Sequence, residues 1–89
     1  MTYFIVETTY DPPLTDETRQ SAQDRLYPCM EIRGAEWVRS YESSDRRRKI
    51  CIFRAPDAES LREAFRGAGV TYDRLWVADL REPALDERM

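Results

Sequence analysis

Six segments of contrasting periodicity follow one another in this chain, and their order leaves few folds open. Tyr3 to Tyr10 (YFIVETTY) is rich in β-branched and aromatic residues and stops at Asp11-Pro12-Pro13, which predicts a first strand. Thr15 then offers a hydroxyl N-cap, with Asp16 and Glu17 where the helix dipole favours negative charge. Leu14, Thr18, Ala22 and Leu26 recur at helical spacing, predicting a helix over 16–27 that Pro28 should end or kink. Glu36 to Glu42 and Arg48 to Ala55 read as two strands, joined through the polar turn Ser43 to Arg47 into a hairpin. Asp57 caps a second helix whose apolar face is Ala58, Leu61, Phe65 and Ala68, with Gly67 and Gly69 at its exit. Asp73 to Leu80 supplies a fourth strand. The order βαββαβ predicts a ferredoxin-like α+β sandwich, a four-stranded antiparallel sheet with two helices on one face. Residues 1–80 form a single domain in this reading, and 81–89 form a charged tail expected to fray.

The strands carry a second constraint. An open-faced sandwich should present apolar residues to its helices and polar ones to water. Here one alternate set is Phe4, Val6, Val38, Cys51 and Phe53, with Leu75 and Val77 following on strand four. The other set is nearly as apolar: Tyr3, Ile5, Trp37, Tyr41, Ile50 and Ile52, with only Glu7, Arg39 and Arg54 polar. If Tyr41 pairs with Ile50, Arg39 faces Ile52 and Trp37 faces Arg54. Strand one then sets Glu7 near Ile50 and Tyr3 near Arg54, so that Trp37 and Tyr3 flank that guanidinium. Two helices cover only one face. The other predicts an association surface, first of all a homodimer joined sheet to sheet, and secondly a ligand held between sheet and helices.

Charge and composition exclude several functions. Fourteen basic against seventeen acidic residues leave a net charge of −3, which disfavours a nucleic-acid binder, and RKICIFRA lacks the aromatic pattern of RNA-recognition strands. The run Arg46-Arg47-Arg48-Lys49 reads as a solvated loop, with an anion contact as the sharper alternative. Histidine is absent, which removes Ser-His-Asp and Cys-His catalysis and every imidazole-containing zinc motif. Cys29 and Cys51 form no CxxC pair and read as ordinary thiols of a reduced compartment. No apolar run approaches a membrane span, and the opening MTYFIVE carries no basic leader, so a cytoplasmic protein without membrane contact is expected.

Several pieces resemble one known pattern. YFIVETTY is similar to the first strand of a bacterial family of small nickel-binding-like proteins, and Trp37-Val38-Arg39-Ser40-Tyr41 to its Trp-(apolar)-x-Ser-Tyr strand. Asp45 followed by Cys51-Ile52-Phe53-Arg54-Ala55-Pro56 resembles its Asp…Cys-(Ile/Val)-(Tyr/Phe)-x-Ala-Pro segment, and Leu61-Arg62 followed by Gly69 its second helix and exit. The resemblance covers about residues 3 to 80. It implies a dimerising ferredoxin-like sandwich and, as cofactor, nickel. Relatives that carry a histidine at about the position of Ala64 set the point of departure, since this chain has none.

The candidate pocket or interface residues are therefore Glu7, Trp37, Arg39, Ser40, Tyr41, Cys51 and Arg54, with no metal ligand assigned. Glu7, mid-strand among apolar neighbours, needs a partner, which an arginine or a tyrosine hydroxyl would supply. Trp37, Ser40 and Tyr41 would line an aromatic pocket or an interface, and Cys51 would pack. Two functions fit: a dimeric binding or accessory protein, taking a small molecule or a metal, and a cofactor-free dimeric α/β-barrel enzyme acting on a small hydrophobic metabolite through Glu7, Arg39, Tyr41 and Arg54.

Overall fold

In the computed structural model, which describes residues 1–83, the elements are β1 (Thr2–Thr9), α1 (Asp16–Glu31), β2 (Glu36–Glu42), β3 (Arg48–Ala55), α2 (Ala58–Ala68) and β4 (Arg74–Ala78). The sheet runs β2-β3-β1-β4 and every neighbouring pair is antiparallel. This is the ferredoxin-like α+β arrangement. The tail expected to fray falls largely on 84–89, outside the described residues. Among the described residues no helix is long and apolar enough to cross a membrane.

Each helix begins where its cap demands. The Thr15 hydroxyl accepts from the Thr18 backbone N–H at 3.1 Å, and Thr18 answers by accepting from the Thr15 N–H at 3.0 Å, a reciprocal capping box. Asp57 accepts from the Ser60 N–H at 2.7 Å. α2 closes at Gly69, whose φ of 68° lies in the left-handed region that glycine tolerates without Cβ strain.

α1 runs past the expected stop at Tyr27, through Pro28, to Glu31. A proline removes the N–H that would bond the carbonyl of Asp24, but both residues are exposed, so water can serve that carbonyl. The extra turn carries Met30, only 3% exposed, onto the stripe that Leu26 begins. Met30 and Leu26 from α1, with Leu61, Ala64, Phe65 and Ala68 from α2, close over Phe4, Val6, Cys51 and Phe53 of the sheet. Phe65 stands edge-on between Phe53 and Tyr72, with centroids 5.7 and 5.2 Å away. Outside this core the rim is ionic. Arg19 of α1 grips Glu42 of β2 with two bonds of 2.7 and 2.5 Å and also reaches Asp16 at 2.8 Å.

Leu61 is fully enclosed, at 0% exposure, between the helices and the sheet. Leu61→Ala is expected to cost about 2–5 kcal/mol of stability, measured as a lowered urea midpoint at unchanged m-value; a loss below about 1 kcal/mol would show that the two-helix layer does not seal the core there.

Candidate functional site on the two faces of the sheet

Strand pairing assigns the candidate residues to opposite faces. The uncovered face has two complete rows. One is Arg39, Ile52, Ile5 and Trp76; the other is Tyr41, Ile50, Glu7 and Arg74. Beyond them Arg54 pairs with Tyr3, and Tyr3 with Ala78. The pairings of Tyr41 with Ile50, Arg39 with Ile52, Glu7 with Ile50 and Tyr3 with Arg54 are those expected. Tyr41 is 59% exposed, Trp76 47% and Ile50 36%, so a broad apolar surface faces outward.

The polar groups on this face are committed to neighbours. Glu7, half-buried, accepts from the indole N–H of Trp76 at 2.8 Å, not from an arginine or tyrosine. A hydrogen bond with Tyr41 pushes the Arg39 guanidinium above its ordinary value. Arg54 forms an ion pair with Glu36 and is held charged further by Tyr3.

Trp37 is the exception to the expected arrangement. The β2–β3 register shifts between Trp37 and Arg39, so Val38 is an inserted residue; Trp37 pairs with Phe53, and Glu36 rather than Trp37 stands opposite Arg54. A bulge adds one residue to one strand and reverses the facing of everything beyond it. Trp37 is thereby turned to the helix side, its ring 6.4 Å from Tyr27 of α1. There its indole N–H donates to the Ser40 hydroxyl at 2.8 Å, and that hydroxyl donates to the Cys51 sulfur at 2.9 Å. The three line a cavity of about 40 Å³ with Leu26, Tyr27 and Phe53.

The seven candidates therefore form two groups with the sheet between them. Trp37, Ser40 and Cys51 make a hydrogen-bonded chain under α1. Glu7, Arg39, Tyr41 and Arg54 are spread over the outer face. Trp76 was missing from the candidate set although a signal existed, since alternation that places Leu75 and Val77 toward the helices sends Trp76 to the other side.

Burial pushes the Cys51 thiol up, and the Ser40 bond and nearby Lys49 only partly counter it. A raised thiol is scarcely ionised at neutral pH, so little thiolate is present to react. In a Cys29→Ser background, Cys51 is expected to react with a disulfide reagent at pH 8 at least about tenfold more slowly than in the unfolded chain. Ser40→Ala, which removes a donor favouring the thiolate, should slow it several-fold more. A native rate matching the unfolded chain would show Cys51 to be open and activated.

A family model described as nickel responsive protein SCO4226-like matches residues 4–77. The crystal structure of SCO4226 from Streptomyces coelicolor A3(2) superimposes with a TM-score of 0.78 over 90% of this chain and 99% of that one, at 14% identity. A likeness at that identity speaks for the fold. No curated protein matches the sequence.

Proposed function

The chain belongs to the SCO4226-like family of nickel-responsive proteins, and we propose that this member is a homodimeric binding protein assembled through the open face of its sheet. The observation that carries the reading is the outward patch of Tyr41, Ile50, Ile52, Ile5 and Trp76, which spreads over both rows and is apolar where a solvated sheet would be polar. Its size suits a second copy. Four strands about 4.8 Å apart and up to eight residues long span roughly 19 by 26 Å. Two such faces bury on the order of 1,000 Å², which a specific contact needs.

The pattern is also self-complementary. A two-fold axis along the strands lays β2 of one copy over β4 of the other. Arg39 then meets the indole of Trp76, and Ile52 meets Ile5, in both halves of an isologous contact. Glu7 enters such an interface with its hydrogen bond to Trp76 already made.

The donors of a single chain do not fit nickel. The sequence has no histidine, and among the described residues no three Cys, Asp or Glu side chains converge. Cys51 is enclosed with Ser40 and Trp37 rather than with carboxylates. Imidazole nitrogen, alone or with oxygen donors, is what suits nickel, and this chain supplies none. No feature favours the cofactor-free enzyme, because Glu7, Arg39 and Arg54 are engaged by Trp76, Tyr41 and Glu36 on an open surface.

Light scattering on a sizing column should give about twice the chain mass of 10.5 kDa, and Ile5→Glu should return it to one chain mass while the far-ultraviolet spectrum is kept. A monomer at about 100 µM would reject the assembly, since faces of this size associate more tightly. Calorimetric titration of chelator-treated protein with Ni²⁺ should be flat at micromolar concentrations. A stoichiometric isotherm would show a site completed by some other donor set.

A further inference from the structure

The helix side of the sheet carries an open cleft of about 340 Å³ between the start of α1, the segment 69–71 and β3. Beneath it lies a cavity of about 50 Å³, walled by Val6, Leu26, Phe53 and Phe65. Tyr10, Ala22, Lys49, Val70 and Thr71 line both, so the cleft and the cavity adjoin as a mouth and a floor.

The charge of the mouth is opposite to that of the chain. Arg19, Arg25 and Lys49 line it and no Asp or Glu does, in a protein of net charge −3. Two of those cations are already committed. Arg19 holds Glu42 and Asp16, and Arg25 donates to the carbonyl of Ala68 at 2.9 Å. Lys49 is half-buried and, among the described residues, has no hydrogen bond or ion pair. Glu42 stands opposite it across the β2–β3 pair and feels its charge, but the Glu42 carboxylate is hydrogen-bonded through both oxygens to Arg19 and not to Lys49. A half-buried lysine without a direct hydrogen-bond partner, over an apolar floor, is a place for an anion with an apolar body.

We propose that this cleft binds a small apolar monocarboxylate, its carboxylate on the Lys49 ammonium and its chain in the floor beneath. Burial pushes the Tyr10 phenol up, so Tyr10 stays protonated and can donate a second hydrogen bond to the same carboxylate. The cleft lies at the low end of small-molecule pockets, which restricts the ligand to about ten non-hydrogen atoms. The inference rests on the reading of the chain as a binding protein and gives that reading a ligand class. The site is on the face away from the proposed dimer contact, so the two fail separately.

The test is calorimetric titration with octanoate, and with 1-octanol as the uncharged control. Octanoate is expected to bind with a submillimolar dissociation constant, at least tenfold tighter than octanol. Lys49→Met should weaken octanoate at least tenfold and leave octanol unchanged, and Ala22→Phe, which fills the mouth, should abolish both. Amide shifts should move at Ala22, Val70 and Thr71. No octanoate binding, equal affinity for the alcohol, an unaffected Lys49→Met, or shifts confined to Tyr41, Ile50 and Trp76 would each overturn the proposal. A monomer that binds octanoate at Lys49 would overturn the dimer alone.

Discussion

Everything in this molecule is referred to the pairing of β1 with β3, which runs unbroken from Thr2 opposite Ala55 to Thr9 opposite Arg48. The two strands form the centre of the sheet and alternate apolar residues on both sides. Phe4, Val6, Cys51 and Phe53 go toward the helices; Ile5, Ile50 and Ile52 go outward. Because the side-chain period is two, a slip of one residue would exchange these sets. Either register would leave an apolar face uncovered, so the excess of apolar surface is a property of the strands themselves. The helices decide which side becomes core, and Glu7, Arg39 and Arg54 mark the side that does not.

That logic explains why the architecture and half of the candidate site were legible in the sequence. Alternation along uninterrupted strands places Tyr41, Arg39, Glu7 and Tyr3 correctly, and each of these pairings stands in the structure. The reading failed where alternation itself was interrupted. Val38 adds a residue to β2, and nothing in Glu36-Trp37-Val38-Arg39 signals a bulge, since no glycine or proline marks it. One inserted residue moved Trp37 from the outer face to a hydrogen-bonded chain with Ser40 and Cys51. Pro28 misled in the other direction. Its steric rule is sound for a buried helix interior, but here the orphaned carbonyl belongs to the exposed Asp24, and the helix gains the burial of Met30 by continuing.

The same bulge separates two kinds of chemistry. Had Trp37 stayed on the outer face beside Arg54, both aromatic residues of β2 would have faced outward. Instead the outer face holds Tyr41 and Trp76 near its two edges around an aliphatic centre, a layout suited to apposition with a similar surface. The helix side holds Trp37, Ser40 and Cys51 as a satisfied polar thread that runs from the exposed Trp37 through Ser40 to the buried Cys51. Such a thread is costly to bury unless each member has a partner, and here each hydroxyl or indole proton is used. Its role is to fix the strand after the bulge, which in turn sets Glu42 within reach of Arg19 and leaves Lys49 beside it with no direct hydrogen bond to that carboxylate.

Membership of a nickel-responsive family and the lack of any histidine can be reconciled by asking what the fold retains. The β1–β3 core, the caps at Thr15 and Asp57, the Gly69 exit and the Ser40–Cys51 contact are all requirements of the sandwich, and none depends on a metal. A histidine on the helix layer, by contrast, would be one side chain on a face already closed by Ala64, which is 0% exposed. An imidazole at Ala64 would need its neighbours to shift, since a core at interior density has no room for the added ring. The core of this chain is therefore packed around a small side chain at Ala64. Lys49, which among the described residues has no hydrogen bond or ion pair, lies at the mouth of a cleft between sheet and helices. A fold can keep its frame while the side chains lining its cavities change, so membership of the family constrains the sandwich of this chain more tightly than it constrains any ligand.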